Sequence, residues 1–432
     1  MPATTTNWKT IAAQHREKQR DAVPAEWLLP EKQLQGLKNT GDGNGSKLIE
    51  SKAVQRSGLL TEKEIVITEK YTAAELLSKM HSQELSSEEV TVAFSKRASL
   101  AQQLTADSEN NIFGRTLNPH NTSLTAGGST GGEGALVAFR GSPLGVGSDI
   151  AGSIRIPSLC CGIYGFKPTS ERVPFGGQSE YPFPKDHLPG IAPVGGPMAN
   201  SIEDLELFMK ITLAQRPWNY DPTVVDIPWR DLGEGDAKLT IGIMAEDPEY
   251  PLHPPVRRAL AKAASALENA GHKLVYLPQD PKRNAGLGGR IGFQLFSIMG
   301  PDLDTVSREI GEPLVNSVAI AVHPFANGNF PVPPDLDTPT KLSRLNEVRF
   351  EYLKAWQETY RDNKLDVILA PGAVTTAIPH DTYGVPIYTL MWNVLDFPAA
   401  NKCQIFPRPQ TVHPPQSKSS LHDTETRNVS EQ

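Results

Sequence analysis

Apolar positions recur along this chain with two different periods, and each period predicts a different element. Thr72, followed three residues later by Glu75, precedes Leu76, Leu77 and Met80; Ser86 with Glu89 precedes Val90, Ala93, Phe94 and Ala101. A hydroxyl that accepts from the third amide, with a glutamate reaching back to the first, satisfies two orphan donors at a helix start. A helical pair is therefore predicted across residues 72–104. Ser201 with Asp204 opens another helix, with Ile202, Leu205 and Phe208 on one face.

Further along, Lys238–Met244 reads as a buried strand, and Val256, Leu260, Ala264 and Leu267 carry helical spacing before Gly271. Lys273–Leu277 reads as a second strand. Strand, helix and strand at this spacing predict a right-handed crossover between parallel strands. Leu342, Leu345, Val348, Tyr352 and Trp356 line a later helix, read as core, and Asp366–Pro371 is a strand running into a loop. Residues 171–200, rich in Pro and Gly, read as a long surface loop, and Asn39–Gly45 as a flexible one.

Composition narrows the class. Lys and Arg total 42 against 49 Asp and Glu, a net charge of −7. That balance argues against a nucleic-acid partner or an anionic membrane surface. Cys160, Cys161 and Cys403 cannot form a disulfide framework, so a reducing, cytoplasmic setting is expected. Cys160 and Cys161 read as small buried side chains. The ten histidines show no metal-ligand spacing, so neither a metal nor another cofactor is expected. No secretory leader and no membrane span is predicted.

Between residues 118 and 169 the chain turns to glycine, serine and small apolar residues with few charges. Gly127-Gly128-Ser129-Thr130-Gly131-Gly132 sets two hydroxyls between glycine pairs. Taken alone it reads as a turn, and without a following Gly-Lys-Ser/Thr it is not a phosphate loop. Gly145–Pro157 reads as a strand, a turn carrying Ser153, and a helix start. Amides at Ile150, Ala151, Gly152 and Ser153 could converge on one oxygen, as an oxyanion hole requires, with Ser153 as the acyl acceptor. Ala151 and Arg155 occupy the glycine positions of the α/β-hydrolase nucleophile elbow, so that motif is absent. Asp149 and Arg155 read as anchors of the loop.

The segment GGSTGGEGALVAFRGSPLGVGSDIAGSIRIPSLCCGIYGFKPT resembles the amidase signature family. Gly58–Thr61, Ala93–Arg97, Asn111–Pro119, Gly384–Pro386 and Trp392-Asn393 resemble its fungal acetamidase-like branch. The resemblance implies an α/β fold, of the α/β/α kind, with a large mixed sheet flanked by helices. It also implies hydrolysis of linear carboxamides to acid and ammonia or amine. By the same carry-over Ser153 is the nucleophile and Ser129 a bridging serine on a cis peptide. Ile150, Ala151, Gly152 and the Ser153 amide are the oxyanion donors, with Thr130, Asp149 and Arg155 in support. The implied partner is a small-molecule amide substrate, and a homodimer is compatible. An N-terminal extension over 1–57, partly flexible, an amidase-like domain over 58–400 and a disordered tail over 401–432 complete the expected organisation.

The resemblance also implies a lysine in a Gly-x-Pro-x-x-x-Lys-Asp context upstream of Asn110. Here Leu104 leads almost directly to Asn110, and neither Lys96 nor Lys167 stands in that context. The family's last strand and helix, beyond Pro398, are likewise expected to be absent, leaving sheet edges open. Two readings follow: an amidase working through an acyl-Ser153 intermediate, or a catalytically impaired or inactive relative (a pseudoenzyme, a splice form or a truncated gene model) that acts, if at all, as a binding protein. His120 and Asp149 are the nearby alternative bases.

Overall fold

A computed structural model of the protein describes residues 7–39, 45–104, 110–177, 190–231, 237–299, 307, 311–318 and 330–402. The N-terminal part is helical: α1 (Trp8–Asp21), α2 (Glu31–Lys38), α3 (Ala53–Ser57), α4 (Glu62–Lys70), α5 (Ala73–His81) and α6 (Ser87–Leu104). Both predicted capping boxes form. Glu75 N donates to Thr72 Oγ1 at 3.1 Å and Glu89 N to Ser86 Oγ at 3.1 Å, each with the reciprocal glutamate contact at 2.8 Å. Leu37, Leu48 and Val54 of the N-terminal part share a core with Leu100 and Leu104 of α6. Gln103 reads the extension's backbone, accepting from Leu29 N at 2.9 Å and donating to Trp27 O at 3.0 Å.

Helix α7 (Gly131–Ala138) leads into β1 (Leu144–Asp149), α8 (Arg155–Cys161) and β2 (Tyr164–Lys167). Then come β3 (Val194–Ala199) and α9 (Ile202–Ala214). The chain continues through β4 (Thr240–Ile243), α10 (Pro254–Asn269), β5 (Lys273–Tyr276) and α11 (Ala285–Met299). It closes with α12 (Thr338–Asn363), β6 (Val367–Leu369), α13 (Ile387–Val394) and β7 (Ala399–Lys402). Among the described residues the mixed sheet takes the form of two sheets. One is antiparallel in the order β1-β3-β2-β7, and the other is parallel in the order β5-β4-β6. The predicted strand–helix–strand unit is β4-α10-β5, and β4 sits between two parallel neighbours. The main core lies among α11, α12 and α13, where Leu295, Leu345, Trp356 and Leu390 have no exposed surface. Trp356 and Trp392 meet there with ring centroids 5.6 Å apart.

One expectation is corrected. Residues 194–199 are not surface loop: β3 is interior to its sheet and all six of its residues are buried. Its Gly195-Gly196-Pro197 sequence has the local chemistry of a turn, yet the sheet needs small residues here. A Cβ on Gly196 would run into the Phe166 carbonyl and lie 2.9 Å from Pro168 Cδ. Gly196→Ala is therefore expected to lower unfolding free energy by about 1–3 kcal/mol, the usual range for an overpacked core; urea denaturation reads it directly. Residues 178–189 of that presumed loop lie outside the described residues. At the other end Asn401 and Lys402, expected in the tail, belong to β7 and pair with β2. Residues 403–432, with Cys403, and most of the Asn39–Gly45 segment lie outside the described residues.

Candidate active site

The site forms where β1 ends. The chain turns through Ile150–Ile154 into α8, and the last strand residue, Asp149, folds its carboxylate back over that turn. Gly152 N donates to Asp149 Oδ1 at 2.8 Å, and Ile154 N and Arg155 N to Oδ2 at 3.2 and 3.4 Å. Arg155 grips the same carboxylate with Nε at 2.9 Å and Nη2 at 2.8 Å, in an ion pair that is essentially unexposed on both sides. Burial pushes the Asp149 carboxyl up, but the charge and hydrogen bonds of Arg155 and the Asn393 amide outweigh it. The carboxyl ends below its ordinary value.

Residues far along the chain complete this network. On α13, Asn393 accepts from Arg155 Nη2 at 2.6 Å and donates to Asp149 Oδ1 at 3.0 Å. Thr389 accepts at its carbonyl from Arg155 Nη1 at 2.9 Å and donates its hydroxyl to the Ala151 carbonyl at 2.7 Å. On β7, Asn401 Nδ2 donates to the Arg155 carbonyl at 2.8 Å. Sequence reasoning assigned none of these three a role. The signal was available for two of them: α13 is buried all round. A Thr and an Asn one turn apart on one face of such a helix must find polar partners.

Ser129 follows a cis Gly128–Ser129 peptide, where the family resemblance implies one. Gly127 just before it has φ +78°, and a Cβ there would lie 2.9 Å from Pro157 Cα. The position thus demands glycine on both counts. Thr130 N donates to the Ser153 carbonyl at 3.2 Å, which joins the two serine loops directly. Neither the Ser129 nor the Ser153 hydroxyl has a hydrogen-bond partner among the described residues. Ser129 is exposed and Ser153 half-buried. A cavity of about 430 Å³ opens beside Ser129, lined also by Thr130, Glu133, Val146, Ser148 and Phe175; Ser153 does not line it. Of the four amides expected to face an oxyanion, that of Gly152 is taken by Asp149. Those of Ile150, Ala151 and Ser153 meet no acceptor among the described residues.

The alternative bases are engaged with other groups. His120 Nε2 is 3.0 Å from the Cys161 carbonyl, at the far end of α8; burial lowers its pKa, partly opposed by that carbonyl. Asp149, saturated with donors, is a poor proton acceptor. Lys96 is paired with Glu64 at 2.7 Å. Lys167 is fully buried, its ammonium hydrogen-bonded to Pro168 O at 2.9 Å. Burial, then the charge of Arg155, brings its pKa down to about 8 against the pull of Asp396 and Asp149. The Leu104–Asn110 junction spans residues 105–109, which lie outside the described residues.

The Lys167 shift has a testable sign. The native state releases the proton near pH 8 and the unfolded chain only near the ordinary lysine value of about 10.4, so stability rises with pH between the two. Relative to Lys167→Met, the wild type is expected to gain about 2 kcal/mol between pH 7.5 and 9.5. Denaturant titrations of the two proteins at those pH values would show an unchanging gap if the burial argument failed.

The family model described as Amidase matches residues 97–408. An amidase of Gibberella moniliformis is 31% identical over 487 aligned positions, covering 91% of this chain and 89% of that protein. An acetamidase of Emericella nidulans is 29% identical, covering 90% and 86%. Both alignments are longer than the 432-residue chain itself, so these relatives carry internal segments that this chain lacks. Among solved structures, a fatty acid amide hydrolase superposes with a TM-score of 0.78 at 26% identity, covering 93% of this chain and 85% of that one.

Proposed function

The chain belongs to the amidase family, and from that membership we propose that it is a serine hydrolase of linear carboxamides that acts through Ser153. In this reading the Ser153 oxygen attacks the amide carbonyl. The resulting oxyanion is held by the unbonded loop amides of Ile150, Ala151 and Ser153. The Ser153 proton passes through Ser129 toward the leaving nitrogen. The C–N bond breaks, ammonia or an amine departs, and water then releases the carboxylate from the acyl-serine. The observation that carries the reading is the direct hydrogen bond from Thr130 N to Ser153 O, which sets the two serine loops side by side.

A serine hydroxyl needs a base at neutral pH. No basic side chain hydrogen-bonds to Ser129 or Ser153 among the described residues. Turnover is accordingly expected about 10²–10⁴-fold below that of an amidase with a complete base relay. The same observation favours the second reading, an amide-binding relative without turnover. Two measurements separate them. Reaction with a fluorophosphonate probe, lost in Ser153→Ala, together with ammonia release from simple aliphatic or aryl amides, supports the hydrolase. Absence of both, with amides still raising the melting temperature, leaves the binding protein.

A further inference from the structure

We infer that Thr389 is a positioning residue for the Ser153 loop: its hydroxyl holds the Ala151 carbonyl and thereby fixes the peptide plane between Ala151 and Gly152. The inference rests on the reading of Ser153 as acyl acceptor and adds to it a specific clamp.

The Thr389 hydroxyl has one proton and two carbonyls within reach, Ala151 O at 2.7 Å and Pro386 O at 3.0 Å. Pro386 O already receives the amides of Thr389 at 3.1 Å and Leu390 at 2.8 Å. Ala151 O has no other donor among the described residues. An unmet, partly buried carbonyl costs more than a third bond to a satisfied one gains, and Ala151 O is also the nearer acceptor, so the proton lies toward Ala151.

The Ala151–Gly152 peptide is trans, since Gly128–Ser129 is the one cis bond among the described residues. In a trans plane the carbonyl and the amide point in opposite directions. Here the carbonyl end meets Thr389 and the amide end meets Asp149 Oδ1 at 2.8 Å, so the plane is held from both sides. That matters because residue 152 is glycine at φ +126°, a backbone whose own sterics restrict rotation least. The amides of Ala151 and Ser153 flank the plane on either side. Their mutual direction, which an oxyanion would sense, is set by the clamp rather than by side-chain bulk at 152.

The test compares wild type, Thr389→Val, which keeps the shape and removes the donor, and Thr389→Ser, which restores the donor. Two quantities are read: the rate of fluorophosphonate labelling at Ser153, and deuterium uptake by mass spectrometry in a peptide covering 150–156. The expected result is labelling about tenfold slower in Thr389→Val, within about twofold of wild type in Thr389→Ser, and uptake about tenfold faster in the valine variant alone. If wild type labels and Thr389→Val labels equally fast, or if Thr389→Ser fails to restore the rate, the clamp is overturned while Ser153 stands as nucleophile. If wild type does not label, the Ser153 reading falls and uptake alone decides. Faster exchange in the valine variant then supports the clamp, and unchanged exchange overturns it. Should the valine variant not fold, Thr389→Cys, with its weak thiol donor, takes its place under the same outcomes.

Discussion

Arg155→Met is expected to lower the unfolding free energy by about 3–5 kcal/mol, a large part of what a protein of this kind has. The cost does not come from losing a favourable ion pair, since buried pairs often do no better than well-packed apolar side chains. It comes from what is left behind. Asp149 is fully buried at the end of β1, and without the guanidinium its hydrogen-bond donors are the Asn393 amide and three backbone amides, with Lys167 as a more distant charge. Thr389 O and Asn393 Oδ1 lose a donor in the same step. Arg155→Lys should recover little, because one ammonium cannot reach Asp149, Thr389 and Asn393 together as the planar fork does. The pH dependence carries a definite sign. Since the native Asp149 carboxyl titrates below its ordinary value, its contribution is complete above about pH 4 and is lost as pH falls through the native value. Chemical denaturation of wild type and variant at pH 7 and pH 3 should show the difference shrinking on the acid side. A constant difference would contradict the assignment.

The second large effect is expected at Gly152. An alanine there would have to adopt φ +126°, and its Cβ would press on the Thr389 hydroxyl while lying 2.7 Å from Thr389 Cβ and 2.8 Å from Ile156 Cδ1. Neither neighbour is the end of a long flexible chain; both belong to buried helices. Backbone strain and overpacking each cost about 1–3 kcal/mol, so Gly152→Ala should lose about 3 kcal/mol. Its labelling by fluorophosphonate should fall at least as far as in Thr389→Val. A variant with wild-type melting temperature and labelling would show that the loop tolerates a side chain there.

Much of this architecture was visible in local chemistry. Thr72-x-x-Glu75 and Ser86-x-x-Glu89 marked helix starts because the residues that satisfy orphan amides sit within one turn of them. The β4-α10-β5 unit was visible because its apolar spacing changes from run to helix period and back. Strand β3 was not, because Gly196 is needed where the Phe166 carbonyl presses on it, a neighbour that local patterning cannot reveal. Within the site, Ser129, Ser153, Asp149 and Arg155 stood out through glycine spacing and family likeness. The polar contacts from Thr389, Asn393 and Asn401 did not, since each joins the loop from at least 234 residues away.

That separation has a consequence for how the protein is made. Asp149 and Arg155 leave the ribosome together and can pair at once, being six residues apart. Thr389 follows Arg155 by 234 positions, which at ordinary elongation speeds of 5–20 residues per second is about 10–50 s. Through that interval the nascent Ser153 turn exists without the helix that orients it, so the chemistry-bearing loop matures only as the final part of the fold arrives.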